Sequence, residues 1–121
     1  MQNATNIEAY CNTNTKLIWV ETPTNPMLNI IDIEAASKIA KKHNIMLAVD
    51  NTFATPFLQT PLDLGADIVM HSATKYLGGH SDVVMGALVC NDDKIAQEMY
   101  RMQNSKGEIT APVDSFCGWR G

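Results

Sequence analysis

The sequence predicts an α/β fold built on a mostly parallel sheet. Short apolar runs recur along the chain, and stretches with helical periodicity alternate with them. Apolar runs of this length, bounded by turn residues, are typical of parallel strands that are buried on both faces. We therefore expect the polar residues that follow these strands to gather at one edge of the sheet, where α/β proteins bind ligands.

Four apolar runs are the predicted strands. They cover residues 17–20, 45–49, 68–70 and 87–90. The first is followed by Pro23 and Pro26, which cannot continue a strand or a helix and so indicate a rigid turn.

Two stretches have the periodicity of helices. Residues 32–43 begin with an aspartate suited to capping a helix, and their apolar side chains fall on one side. Residues 92–104 begin with two acids, as the helix dipole favours, and place Ile95, Met99 and Met102 on one face. Such a stripe is typical of core packing.

Composition excludes several classes of function. With 45% hydrophobic and 18% charged residues the chain is typical of a globular protein, and its net charge of −4 without a basic patch argues against a nucleic-acid partner. No apolar run approaches the roughly 20 residues that span a bilayer. The three cysteines, Cys11, Cys90 and Cys117, are too far apart for a zinc motif or a disulfide framework, so we expect reduced thiols in a cytoplasmic protein without a metal.

Polar side chains stand at the ends of three predicted strands. They are Asn25 after the first, Asp50 and Thr52 after the second, and Ser72, Thr74 and Lys75 after the third. A lysine amine in a desolvated or cationic setting forms imines with aldehydes, hydroxyl groups bind phosphate, and a carboxylate keeps a pyridine nitrogen protonated. The set therefore suits a phosphorylated, protonated heterocycle, although on spacing alone such residues are more often helix caps, surface residues or ordinary loop residues.

A different enzyme class shares part of this pattern. Ser72 and Lys75 also fit the S-x-x-K motif of serine β-lactamases and penicillin-binding proteins. Those enzymes need the serine at the start of a helix, together with S-D-N and K-T-G motifs. Here residues 81–83 read Ser-Asp-Val, K-T-G is absent from the sequence, and Gly78 and Gly79 stand where the helix should run. The sequence disfavours this alternative.

The histidines and glycines near Lys75 are expected to be structural. His71 and His80 lack a third ligand at helical or strand spacing, so we predict hydrogen bonds within the loop after Lys75 rather than metal binding. Gly78 and Gly79 are expected to form a tight turn that lets the backbone approach the site.

Three strings carry a resemblance to a known family. They are Glu-Thr-Pro-Thr-Asn-Pro at residues 21–26, Val-Asp-Asn-Thr-Phe-Ala-Thr-Pro at 49–56, and His-Ser-Ala-Thr-Lys-Tyr-Leu-Gly-Gly-His-Ser-Asp at 71–82. In this order they resemble the Cys/Met-metabolism family of pyridoxal-phosphate (PLP) enzymes. That family includes cystathionine γ-synthase, γ-lyase and β-lyase, methionine γ-lyase and O-acetylhomoserine sulfhydrylase.

The resemblance implies a role for each residue of the site. Lys75 would hold PLP as a Schiff base and move protons between substrate carbons, and Asp50 would pair with the pyridine nitrogen. Ser72 and Thr74 would bind the phosphate. Thr52 would lie near the ring.

The resemblance also implies the wider architecture. Asn25 would contact the phenolic oxygen of PLP or the substrate carboxylate. The fold would be the large PLP-binding domain of the aspartate-aminotransferase type (fold type I), with residues 87–90 as an antiparallel strand. Family members have roughly three times this length, with a catalytic and a smaller C-terminal domain. Residues 1–121 would then form part of the catalytic domain, without the N-terminal arm, the upstream part of that domain and the C-terminal domain. The whole enzyme would be a homotetramer with active sites at dimer interfaces.

The function implied is an enzyme that forms or cleaves a carbon–sulfur bond at Cγ of a small amino-acid substrate. The glycine-containing string after Lys75 looks most like the γ-synthase and γ-lyase branch. A family sibling with other chemistry, or a catalytically silent fragment, is the alternative.

Overall fold

The computed structural model describes residues 5–121 and contains one four-stranded sheet. Its strands are β1 (Leu17–Glu21), β2 (Met46–Asp50), β3 (Ile68–Ser72) and β4 (Gly86–Val89), in that spatial order. The first three run parallel, and β4 is antiparallel to β3. This arrangement confirms the predicted α/β class and the antiparallel last strand.

Helices connect and follow the strands. They are α1 (Thr5–Glu8), α2 (Ile33–Lys42), α3 (Thr55–Leu58), α4 (Asp93–Lys106) and α5 (Pro112–Arg120). The predicted cap of α2 is confirmed, because Asp32 Oδ1 accepts a hydrogen bond of 2.9 Å from the Ala35 backbone N–H. Asp92 caps α4 in the same way, through Lys94 and Ile95.

The core lies on one face of the sheet, against α2. Residues two apart on a strand share a face, so every second side chain of β1, β2 and β3 points into this core. The strands and α2 contribute Ile18, Val20, Leu47, Val49, Val69, Ile33, Ala36 and Ala40. The same alternation carries His71 and Asn51 to the core side and Asp50 to the other.

The predicted core stripe on α4 is wrong. No residue described on α4 is buried: Ile95 and Met99 are partly covered, and Met102 is 50% exposed. Periodicity shows that a helix has an apolar face, but not which part of a protein covers that face. The far side of the sheet is partly uncovered as well: Trp19 on β1 is 52% exposed, although Ala48 beside it on β2 is buried.

None of the helices within residues 5–121 is both long enough and apolar enough to cross a membrane.

Candidate functional site

The carboxyl ends of the parallel strands lie side by side. Glu21 at the end of β1 is paired with Asp50 at the end of β2, and Asp50 is paired with Met70 on β3. The residues that follow β1 and β2, and those at the end of β3, therefore meet at one edge of the sheet.

The Thr52 hydroxyl joins the turn after β2 to the end of β3. It donates a hydrogen bond of 2.6 Å to Asp50 Oδ1 and accepts one of 2.8 Å from the Ser72 backbone N–H. The Thr52 backbone N–H also donates to Asp50 Oδ1, at 3.0 Å. These bonds fix one carboxylate oxygen of the half-buried Asp50. Its Oδ2 accepts no hydrogen bond from residues 5–121 and is free to face a ligand N–H.

Lys75 leaves β3 on a short turn. Its backbone N–H donates to the Ser72 carbonyl at 3.0 Å, which holds the turn, and the residue is exposed. In the part of the chain that the structure describes, Lys75 Nζ forms neither an ion pair nor a hydrogen bond. The amine is therefore available to a ligand.

Thr74 is held to the segment before β4. Its hydroxyl accepts from the Met85 N–H at 2.9 Å and donates to the Met85 carbonyl at 3.3 Å. To donate to a phosphate, this hydroxyl would have to turn its proton away from the carbonyl. Ser72 Oγ has no such partner among residues 5–121, so it is the freer of the two predicted phosphate ligands.

The glycines after Lys75 form the predicted tight turn. Gly78 N–H donates to the Ala73 carbonyl and Gly79 N–H to the Lys75 carbonyl, both at 2.8 Å. A Cβ on Gly78 would stand 2.6 Å from the Ala73 oxygen, and Gly79 has φ +69°. His80 Nδ1 donates to the Gly78 carbonyl at 2.7 Å, which confirms the loop hydrogen bond predicted for that histidine.

The same prediction is wrong for His71. This residue lies in β3 and is 5% exposed, and its Nδ1 is buried without a hydrogen-bond partner in the described chain. Burial lowers the pKa of the imidazole below its ordinary value of 6.5, and the nearby Asp50 carboxylate opposes that shift. Its spacing of two from Val69 is the signal that could have placed it inside.

Asn25 lies in the exposed loop between β1 and α2. The base of this loop is fixed by Thr22, whose N–H donates to the Asp50 carbonyl at 3.4 Å and whose hydroxyl accepts from the Ile31 N–H at 3.0 Å. Asn25 is thus at the expected edge of the sheet, but it forms no side-chain hydrogen bond with Asp50, Lys75 or any other described residue.

A wide cavity of about 870 Å³ opens on the Lys75 side of this edge. It is lined by Phe53, Thr74, Lys75, Tyr76, Gly79, Ser81, Asp82, Val83, Val84 and Asp114. The rings of Phe53 and Tyr76 have centroids 6.3 Å apart, and Arg120 of α5 pairs with Asp82. Sequence reasoning predicted Thr74 and Lys75 but assigned no role to Phe53 and Tyr76, although both stand inside the motif strings.

The polar groups present fit PLP. Among residues 5–121, Asp50 Oδ2, the Lys75 amine and the Ser72 hydroxyl have no hydrogen-bond partner, and they match the ring N–H, the aldehyde and the phosphate of this molecule. No group of three or more His, Cys, Asp or Glu side chains able to hold a metal ion occurs in residues 5–121, where all three cysteines are free.

Known proteins share both the sequence and the fold. Cystathionine γ-synthase of Mycobacterium leprae is 53% identical over 115 residues, which are 95% of this chain and 30% of that protein. Cystathionine β-lyase of Lactococcus lactis subsp. cremoris is 51% identical over 121 residues, which are 100% of this chain and 32% of that protein.

Two solved structures match this fold and confirm the predicted PLP-domain architecture. MetB from Corynebacterium glutamicum superposes with a TM-score of 0.95 at 52% identity. Cystathionine γ-lyase from Lactobacillus plantarum, complexed with L-serine, superposes with a TM-score of 0.96 at 46% identity. Each match covers 98% of this chain and 31% of the other.

The family pattern described as "Cys/Met metabolism PLP-dependent enzyme" matches residues 1–121. PLP is accordingly the cofactor that the site residues are expected to serve. The chain spans about a third of the length of the relatives it matches. It belongs to the Cys/Met metabolism family of PLP-dependent enzymes.

Proposed function

We propose that this chain forms part of the catalytic domain of an enzyme that makes or breaks a carbon–sulfur bond at Cγ of a sulfur amino acid. The observation that carries the proposal is the edge where Thr52 links Asp50 to Ser72, beside a Lys75 amine that has no partner within the described residues 5–121. The names of the relatives support it, since they include both a γ-synthase and a γ-lyase.

The proposed site works by binding, orientation and proton transfer. PLP, when bound, supplies an electron sink for charge that develops on the substrate. Asp50 Oδ2 would accept a hydrogen bond from the protonated ring nitrogen, and the Thr52 hydroxyl keeps that carboxylate in place. The hydroxyl groups of Ser72 and Thr74 would donate hydrogen bonds to the phosphate. Lys75 Nζ would hold PLP through its aldehyde carbon, with loss of water, and once the substrate amine had displaced it the free amine would move protons between substrate carbons.

The proposed roles of Thr52 and Asn25 complete the site. Thr52 lies near the ring through its bond to Asp50, and Asn25 reaches the phenolic oxygen or the substrate carboxylate from the loop after β1. Family resemblance further supports a cytoplasmic homotetramer with active sites at dimer interfaces.

A second proposal concerns the 121 residues in isolation, which we expect to be catalytically silent. The described part of the chain exposes large apolar side chains: Trp19 is 52% exposed, Phe57 is 92% and Trp119 is 84%. These side chains lie on sheet and helix faces that the described chain leaves largely uncovered. Exposed apolar surface of this kind promotes association.

Absorbance tests both proposals. The full-length protein, meaning this chain with the sequence that flanks it in its gene, should show a visible band near roughly 420 nm with PLP. Lys75→Ala should abolish the band, while Lys94→Ala, on the exposed start of α4, should keep it. A band that survives Lys75→Ala contradicts the site. A band formed by the 121 residues alone contradicts the silent fragment.

Product analysis decides the position of bond cleavage. With cystathionine as substrate, cleavage at Cγ releases a four-carbon keto acid, whereas cleavage at Cβ releases a three-carbon keto acid. The proposal predicts the four-carbon product. A β-lyase is the alternative, because a cystathionine β-lyase is 51% identical to this chain.

A further inference from the structure

Asn51 and Gln59 form hydrogen bonds with each other next to the proposed site, and we call this pair, with the Thr22 carbonyl that it binds, the clasp. Asn51 is 0% exposed, and its Nδ2 donates a hydrogen bond of 2.9 Å to the backbone carbonyl of Gln59. Gln59 Nε2 donates in return to Asn51 Oδ1 at 2.8 Å and to the Thr22 carbonyl at 3.1 Å. Thr22 is also 0% exposed. Buried polar groups held by three such bonds define one geometry, because each lost bond leaves a group unpaired away from water.

The clasp joins the two loops that carry proposed cofactor ligands. Asn51 lies between Asp50 and Thr52 at the end of β2, and Thr22 starts the loop that carries Asn25. Gln59 follows α3 and bonds to both segments. Through the side chain of Gln59, the clasp therefore connects the turn after β2 to the loop after β1.

The backbone between Asn51 and Gln59 is strained at Thr55, and the hydrogen bonds of the clasp can hold it in that conformation. Thr55 has φ +63°, in the left-handed region that β-branched residues rarely adopt. Its N–H donates to the Asn51 carbonyl at 2.9 Å, and its carbonyl accepts from the Gln59 N–H at 3.2 Å. Strained backbone of this kind persists where surrounding bonds over-determine it.

We infer that Gln59 is a positioning residue that sets the spacing between Asn25 and Asp50. The inference rests on the proposed function, in the form in which Asn25 reaches the phenolic oxygen of PLP, so that Asn25 and Asp50 meet different atoms of one rigid ligand. A rigid ligand that is held at two points needs those points at a fixed separation. Small displacements of the residues that support the two contacts therefore weaken binding.

The test compares Gln59→Met with Gln97→Met in the full-length protein. Methionine matches the length of glutamine but cannot donate to Asn51 or Thr22, and Gln97 is exposed on α4 and forms no side-chain hydrogen bond in the described chain. Gln59→Met should raise the PLP dissociation constant by roughly tenfold, equivalent to about 1.4 kcal/mol. Gln97→Met should leave it unchanged.

A double-mutant cycle separates positioning from a general loss of stability. If Gln59 acts through Asn25, Gln59→Met should raise the PLP dissociation constant less in an Asn25→Ala background than in the wild type. Additive effects on the PLP dissociation constant, or an unchanged PLP dissociation constant in Gln59→Met, overturn the inference.

Folding of the variant is controlled separately. If Gln59→Met does not fold, Gln59→Asn, which keeps an amide one methylene short, takes its place with the same expected direction. Failure of both to fold where Gln97→Met folds overturns the inference, because Gln59 would then be required for the fold itself. If wild-type protein does not attach PLP at Lys75, it is the proposed function that fails.

Discussion

The Thr52 hydroxyl links the Asp50 carboxylate to the end of β3, so Thr52→Val is the most informative structural perturbation. Valine keeps the shape of threonine but removes the bonds of 2.6 Å to Asp50 Oδ1 and 2.8 Å from the Ser72 N–H. A charge-assisted bond in a half-buried place contributes about 1.5 kcal/mol and a neutral one about 1 kcal/mol. Their loss should lower the local free energy of opening by about 2.5 kcal/mol.

Amide hydrogen exchange at Ser72 measures this loss directly. Where exchange follows local opening, about 2.5 kcal/mol corresponds to roughly seventyfold faster exchange of the Ser72 N–H in the apo full-length protein. Thr52→Ser, which keeps the hydroxyl, should stay near the wild-type rate. Thr60→Val, at an exposed threonine whose hydroxyl forms no hydrogen bond in residues 5–121, is the matched control and should change nothing. Unchanged Ser72 exchange in Thr52→Val would refute the reasoning.

Three further predictions concern the core, the turn and pH. Leu47→Ala, at a residue 0% exposed, should lower the free energy of unfolding by about 2–5 kcal/mol in urea titrations, and Leu88→Ala, at 53% exposure, by less than about 1 kcal/mol. Gly78→Ala should weaken the visible PLP band, because its Cβ would stand 2.6 Å from a carbonyl oxygen, whereas Gly86→Ala, with its nearest contact at 3.9 Å, should keep the band. Burial lowers the pKa of His71 from 6.5, so the unfolded chain binds the imidazole proton more readily than the folded chain. The contribution of His71 to the free energy of unfolding should therefore be complete above about pH 6.5 and should fall as the pH drops below that value. His71→Phe should reduce this pH dependence in urea titrations at a series of pH values.

Much of the fold follows from local patterns in the sequence. The apolar runs that end at Val20 and Val49 and the aspartate cap of α2 depend on neighbouring residues only, and all were predicted within a residue or two. The direction of β4 could not come from its own sequence, because a short apolar run reads the same in parallel and antiparallel pairing. Its prediction came from family resemblance. The prediction that the stripe on α4 packs into the core was wrong for a related reason, because an apolar helix face does not indicate which part of a protein covers it.

The residues of the proposed site could be predicted as a set, but the hydrogen bonds between them could not. Asp50 and Lys75 were predicted because each follows an apolar run that ends at the same edge of the sheet. The bonds of Thr52 to Asp50 and of Gln59 to Asn51 depend on rotamers and on chain segments that meet only after folding. His71 lies between these cases, since its alternation with Val69 signals burial while its polarity suggested a loop.

The central claim is that Lys75 is the point of covalent attachment for PLP, and peptide mass mapping tests it most directly. Full-length protein incubated with PLP and reduced with borohydride should carry the pyridoxyl adduct on the peptide that contains Lys75. The peptides with Lys94 and Lys106, both exposed on α4, should remain unmodified at stoichiometric PLP. An adduct on any other lysine, with Lys75 left free, would contradict the account.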